Sequence, residues 1–212
     1  MNLIVNASTL NGEITIPGSK SHTIRALVIA TLAKGISKIY QPLVSADTLF
    51  CLKGCEALGA NYEEKEDHWQ IEGVAGHPNL PQDIIDVGNS GTALNFLTGT
   101  AGLVDGYTIL TGNAQLKRRP VQSLLDALTM LGVEAYSTPQ TGYPPLVVKG
   151  ILKGGYTEVK GRICQRNDLS SFLLFLSCLE GQFLVFHLSG DLKRDHAGLH
   201  AIVETLQEEL RI

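Results

Sequence analysis

A long internal repeat constrains this chain more than any other feature. Three times a glycine- or hydroxyl-rich loop opens an apolar helix, a glycine stops it, a strand follows, and a second, polar-faced helix comes next. The stop glycines Gly35, Gly106 and Gly181 lie 71 and 75 residues apart, and Gly59 and Gly132, which close second helices, lie 73 apart. Tandem copies of a β/α unit cannot bury their apolar helices alone, so they must stack on one another. The expectation is a layered α/β or α+β fold with the apolar helices inward and the strands outward.

Residues 1–16 read as two short strands, 3–5 and 13–16, around a turn at Asn11-Gly12. The first copy then predicts helix 21–33, strand 37–40, helix 46–58, and paired strands 61–65 and 68–72. The second predicts helix 93–102, strand 107–111, helix 121–131, and strands 134–137 and 146–149. The third predicts helix 169–179, strand 183–188 and helix 197–210. It stops where the other two continue into paired strands, so the chain reads as cut off or as half of a larger protein.

The chain has 212 residues, 44% hydrophobic and 18% charged, with net charge −4. That balance argues against bulk attraction to nucleic acid or an acidic membrane. Any bound anion must be held by local clusters. Cys51, Cys55, Cys164 and Cys178 form no Cys-x-x-Cys pair and read as reduced thiols of a cytoplasmic protein. Residues 1–5 lack a basic stretch followed by a long apolar run, so no signal peptide is expected. No apolar run reaches the ~18 residues of a membrane span.

Three loops enter helices with anion-binding character. The first is Pro17-Gly18-Ser19-Lys20-Ser21-His22-Thr23-Ile24-Arg25. It puts a hydroxyl, an ammonium and a guanidinium near a helix N-terminus, where free N–H groups and the helix dipole favour an anion. The second is Gly88-Asn89-Ser90-Gly91-Thr92, whose glycines let backbone approach a ligand. The third, 161–171, carries Arg162, Gln165, Arg166, Asn167, Ser170 and Ser171. Lys117-Arg118-Arg119 and Lys193-Arg194 add cations before second helices. Ordinary N-caps and solvated cations would give the same residues singly; their placement in successive copies favours one rim that grips a small polyanion. The ATP loop Gly-x-x-x-x-Gly-Lys-Ser/Thr and the dinucleotide motif Gly-x-Gly-x-x-Gly are both absent. His196 and His200 are four apart without a clear third ligand, so no metal and no cofactor are expected.

Six ordered motifs resemble one family. They are Pro17-Gly18-Ser19-Lys20-Ser21 with Arg25-Ala26-Leu27, Gly88-Asn89-Ser90-Gly91-Thr92-Ala93, Leu110-Thr111-Gly112, Arg119-Pro120 leading into Leu125-Asp126-Ala127-Leu128, Tyr143-Pro144-Pro145-Leu146, and Arg194-Asp195-His196. Together they are similar to the N-terminal half of 5-enolpyruvylshikimate-3-phosphate synthases. The sister family, the UDP-N-acetylglucosamine enolpyruvyl transferases, carries a reactive Cys in the loop that here reads Asn113-Ala114-Gln115-Leu116-Lys117. The resemblance implies an enolpyruvyl transferase-like domain of three βαβαββ units, the third truncated. Residues 1–17 would belong to the hinge or partner-domain side and 18–212 to the domain, with units near 18–83, 84–155 and 156–212. It implies transfer of the enolpyruvyl group of phosphoenolpyruvate to the 5-hydroxyl of shikimate 3-phosphate, in a cleft between two domains.

The resemblance also implies roles. Lys20 would be catalytic and touch both substrates. Ser21, Arg25 and Arg194 would hold shikimate 3-phosphate, and Gly91 and Arg119 phosphoenolpyruvate. Asn89, Gln165, Arg166 and Asp168 complete the candidate set. The third loop departs from the family's usual Ser-Ser-Gln or Ser-Ala-Gln, Asn95 stands where many members have Arg, and Lys193 where Ser is common. The expected partners are small anionic substrates and either the missing C-terminal domain or a second copy, with neither nucleic acid nor membrane. Little or no turnover is expected of the chain alone. A competing reading is a half-length relative that binds anions or assembles without catalysis.

Overall fold

The computed structural model describes residues 11–14, 16–160 and 184–189. Helix α1 (Lys20–Leu32) leads into β1 (Lys34–Tyr40), then α2 (Ala46–Ala57), β2 (Asn61–Glu64) and β3 (His68–Val74). The next unit begins with β4 (Ile85–Asp86), then α3 (Gly91–Ala101), β5 (Tyr107–Thr111), α4 (Gln122–Met130), β6 (Glu134–Ser137) and β7 (Leu146–Lys149). Strands β8 (Gly155–Lys160) and β9 (Leu184–Ser189) follow.

The two units share one sheet plan. The first forms an antiparallel sheet in the order β1-β3-β2, and the second repeats it as β5-β7-β6 with β4 added parallel at its edge. β8 and β9 pair parallel, as β4 and β5 do across α3. Parallel neighbours need a crossover, and the crossover between β8 and β9 spans 161–183, outside the described residues. The expected helices 169–179 and 197–210, and the strand 3–5, also lie outside them.

Helices pack inward, as the repeat demands. Every residue of α3 from Ala93 to Ala101 is buried, and α1 buries Ile24, Leu27, Val28 and Leu32. The core continues through Leu52, Cys55, Trp69, Ile71, Leu110, Leu124, Leu128, Leu146 and Val148.

Two expectations need correction. Glu13, Ile14 and Ile16 lie in no strand, and Ile14 and Ile16 are largely exposed. Their expected neighbour, the strand 3–5, lies outside the described residues. Gly35 and Gly106 are not helix stops. α1 ends at Leu32 and α3 at Ala101, while Gly35 (φ +82°) lies inside β1 and Gly106 (φ +146°) just before β5. What ends these helices is a docked strand end. Ala75 N–H donates to the Ala33 carbonyl at 3.0 Å and Gly76 N–H to Leu32 at 2.8 Å, while Leu152 N–H donates to Gly102 at 2.9 Å. A β-carbon on Gly73 would fall 2.2 Å from the Ala33 oxygen, and one on Gly150 would fall 2.3 Å from the Val104 oxygen. Gly59 and Gly132 do close α2 and α4, their N–H groups bonded to Glu56 and Thr129 at 2.9 and 3.0 Å.

Candidate active site

The N-terminal ends of the helices are linked by a chain of contacts. Ser19 caps α1, its hydroxyl accepting from His22 N–H at 3.5 Å. Lys20, the first residue of α1, places its ammonium 2.7 Å from Asp47 Oδ2, in the first turn of α2. Ser45 caps α2 reciprocally with Thr48. One turn on, the Phe50 ring lies against Gly88, 2.5 Å from where a β-carbon would stand. Gly88 begins the loop into α3, which Ser90 caps by accepting from Ala93 N–H at 3.2 Å. The first N–H groups of such helices have no partner within the helix.

Arg25 lies one turn into α1. Its guanidinium donates to the Ser21 carbonyl at 3.0 Å and stacks over the Phe96 ring of α3 at 5.3 Å. That stacking ties α1 to α3 close to both helix mouths. Ser21 is half-buried beside it.

Two loops of the second unit are joined so that Arg119 covers the mouth of α3. Asn113 N–H donates to the Gly88 carbonyl at 2.8 Å and Val87 N–H to Thr111 at 3.0 Å. The approach requires Gly112, where a β-carbon would lie 2.4 Å from the Gly88 oxygen. The Asn113 side-chain oxygen accepts from Gln115 and Leu116 N–H, both at 3.0 Å. This starts the 3-10 turn Leu116–Arg118, in which Leu116 is the buried plug. Arg119 follows. Its Nη2 donates to Asn89 Oδ1 at 3.3 Å, and its Nη1 lies 2.7 Å from the position a β-carbon on Gly91 would take. Asn89 Nδ2 in turn donates to Gln115 Oε1 at 2.8 Å.

Of the expected site residues, Lys20, Ser21, Arg25, Asn89, Gly91 and Arg119 are thus linked through helix mouths that touch. Gln165, Arg166, Asp168 and Arg194 lie outside the described residues, as do His196 and His200. Sequence reading missed Asp47, Asn113 and Gln115. Asn113 was open to detection, because an Asn directly before a short helical turn bonds the backbone two and three residues on. Cys51 and Cys55 are buried in α2, behind this face. Their mutual hydrogen bond, then burial, hold the Cys51 thiol well above its usual range. Among the described residues no group of three or more His, Cys, Asp or Glu could hold a metal, and no helix is long and apolar enough to cross a membrane.

The family model of EPSP synthase (3-phosphoshikimate 1-carboxyvinyltransferase) matches residues 4–198. The chain belongs to the EPSP synthase family. A 3-phosphoshikimate 1-carboxyvinyltransferase of Acetivibrio thermocellus is 49% identical over 174 residues, covering 82% of this chain and 41% of that relative. One from Methanothermobacter thermautotrophicus is 45% identical over 182 residues, covering 85% and 43%. A solved EPSP synthase from Acinetobacter baumannii superposes with a TM-score of 0.70 at 28% identity, over 77% of this chain and 37% of that one. The chain therefore spans less than half the length of the family members it matches. The mixed helix and sheet content and this superposition agree with an α/β enolpyruvyl transferase fold.

Proposed function

We propose that this chain carries the substrate-holding half of an enolpyruvyl transferase acting on shikimate 3-phosphate and phosphoenolpyruvate. The observation that carries the reading is Arg119 lying over Gly91 at the mouth of α3, linked to the mouth of α1 through Gly88, Phe50, Asp47 and Lys20. In a protein of net charge −4, that gathers two cations and bare amides on joined surfaces. Two small polyanions need such a place.

On this reading Lys20 bridges both substrates, Ser21 and Arg25 hold shikimate 3-phosphate, and Gly91 and Arg119 hold phosphoenolpyruvate. Arg194 completes the shikimate 3-phosphate side, with Asn89, Gln165, Arg166 and Asp168 nearby. The 5-hydroxyl adds to C2 of phosphoenolpyruvate, and the tetrahedral adduct then loses phosphate. Fixed cations stabilise the charge that gathers on that adduct. The stretch of the relatives beyond this chain would close the cleft, expel water and strengthen each contact. The shared plan of the two described units, and the parallel β8–β9 pair, support three units near 18–83, 84–155 and 156–212, with 1–17 on the hinge side. Buried Cys51 and Cys55, which form no disulfide, suit the cytoplasm, where the pathway's soluble substrates would be met.

Calorimetry with shikimate 3-phosphate tests the holding role directly. Saturable binding of one equivalent, abolished in Lys20→Met, is expected. Adding the remaining portion of a relative in trans and measuring phosphate release tests the chemistry. Absence of shikimate 3-phosphate binding by the folded chain, together with a discrete dimer in solution, would replace this reading by an assembly module.

A further inference from the structure

We propose that Gln115 is a positioning residue: it fixes the side-chain amide of Asn89 so that the carbonyl end faces Arg119, and so holds the guanidinium over the mouth of α3. The relay rests on the reading of Arg119 as an anion-holding group, and its geometry is tested separately from that reading.

An asparagine amide has an accepting end and a donating end of the same shape, and a guanidinium has only donors. Turned the wrong way, Asn89 would set an NH2 against the Arg119 N–H groups and push the cation off the site. The donor-only guanidinium on one side and the accepting Gln115 Oε1 on the other disfavour that alternative together. Gln115 Oε1 takes the Asn89 Nδ2 donor at 2.8 Å, which leaves Asn89 Oδ1 for Arg119 Nη2 at 3.3 Å. Gln115 is itself placed by its backbone, since its N–H donates to Asn113 Oδ1 at 3.0 Å and Asn113 N–H donates to the Gly88 carbonyl at 2.8 Å. The relay closes on the loop that carries Asn89.

The chemistry of the relay matters as much as its shape. Every member but Arg119 is neutral. A carboxylate in place of either amide would orient Arg119 equally well but cancel its charge. An amide relay orients the guanidinium and leaves its full charge for an incoming anion.

Gln115→Met removes the acceptor at unchanged charge and similar size, and Gln115→Glu keeps an acceptor. Nitrogen–proton spectra of the unliganded chain read the Asn89 side-chain NH2 and the Arg119 Nε–H directly. In Gln115→Met both signals should move to the positions of free side chains while the sheet amides stay put. In Gln115→Glu both should remain shifted. Titration with phosphoenolpyruvate should show binding weakened on the order of tenfold in Gln115→Met, the scale of one charge-assisted hydrogen bond. Unmoved Asn89 and Arg119 signals in Gln115→Met, or equal loss of them in Gln115→Glu, would overturn the relay. If the parent chain binds no phosphoenolpyruvate, the anion-holding reading falls while the spectra still decide the relay.

Discussion

The two described units are built on one plan and armed differently. In the first, the cation at the helix mouth, Lys20, is met by the carboxylate of Asp47 at 2.7 Å. In the second, Arg119 is met by the neutral oxygen of Asn89. The helices differ as well: α3 is buried from Ala93 to Ala101, while α1 leaves Ile29 half exposed. A repeated scaffold therefore fixes where cations gather, and the local partner decides how much of each charge an anion would feel. Among the described residues, the second unit holds the more completely buried helix and the less masked cation.

The largest effect should separate the two helices. Leu97 in α3 is fully buried, and its Cδ1 would lie 2.4 Å from a β-carbon on Gly54 of α2. It fills the seam between units. Leu97→Ala should destabilise the chain by about 2–5 kcal/mol, whereas Ile29→Ala should stay within about 0.5 kcal/mol. Urea unfolding of both variants checks this. Equal losses would mean that the contrast in burial between these two positions carries no energetic meaning.

The next effect concerns the cations. Arg119→Met should weaken phosphoenolpyruvate binding by roughly 10- to 150-fold, equivalent to the ~1.5–3 kcal/mol of a hydrogen bond to a charged group. Asp47→Asn should act in the opposite direction and tighten inorganic phosphate binding by roughly threefold, because it unmasks Lys20 near a surface where charge pairs are worth under ~1 kcal/mol. The same variant should leave thermal stability almost unchanged, for the pair is half exposed. Weaker phosphate binding in Asp47→Asn would show that the carboxylate positions Lys20 rather than masking it. Calorimetry on the three proteins separates these outcomes.

Much of this was legible in the sequence because it depends on local patterns. The strands at 107–111, 134–137 and 146–149 fall where alternation and turn residues placed them. Gly35 and Gly106 misled because a glycine after an apolar run looks the same whether it ends a helix or admits the chain to a strand. The distinction depends on Gly73 and Gly150, whose missing side chains let a later strand reach the helix carbonyls, and that approach is long-range. The Glu13–Ile16 alternation predicted a strand whose expected neighbour, 3–5, lies outside the described residues. At the site, the cations and Asn89 were visible as residue types, but Asp47, which meets Lys20, and Gln115, which meets Asn89, were not, because 27 residues separate Lys20 from Asp47 and 26 separate Asn89 from Gln115.

The smallest effect sharpens the comparison of the outer hairpins. In β2–β3, Tyr62 turns inward opposite Ile71 and meets Trp69 edge-on at 5.6 Å; in β6–β7 the corresponding inward residue is Ala135, opposite Val148. Burial first, and then the Glu64 carboxylate, push the Tyr62 phenol from 10.0 up to about 12. The folded chain thus keeps that proton where the unfolded chain has lost it. The unfolded state binds fewer protons over this window, so stability is fully present below pH 10 and falls as pH rises from there toward about 12. Tyr62→Phe should lower stability only slightly at neutral pH and make the decline between pH 10 and 12 shallower than in the parent. Urea midpoints at pH 9, 10 and 11 read the difference. Parallel pH profiles for the parent and Tyr62→Phe would mean that the inward tyrosine ionises as freely as one in water, and that the two hairpins bury their inward residues to the same small extent.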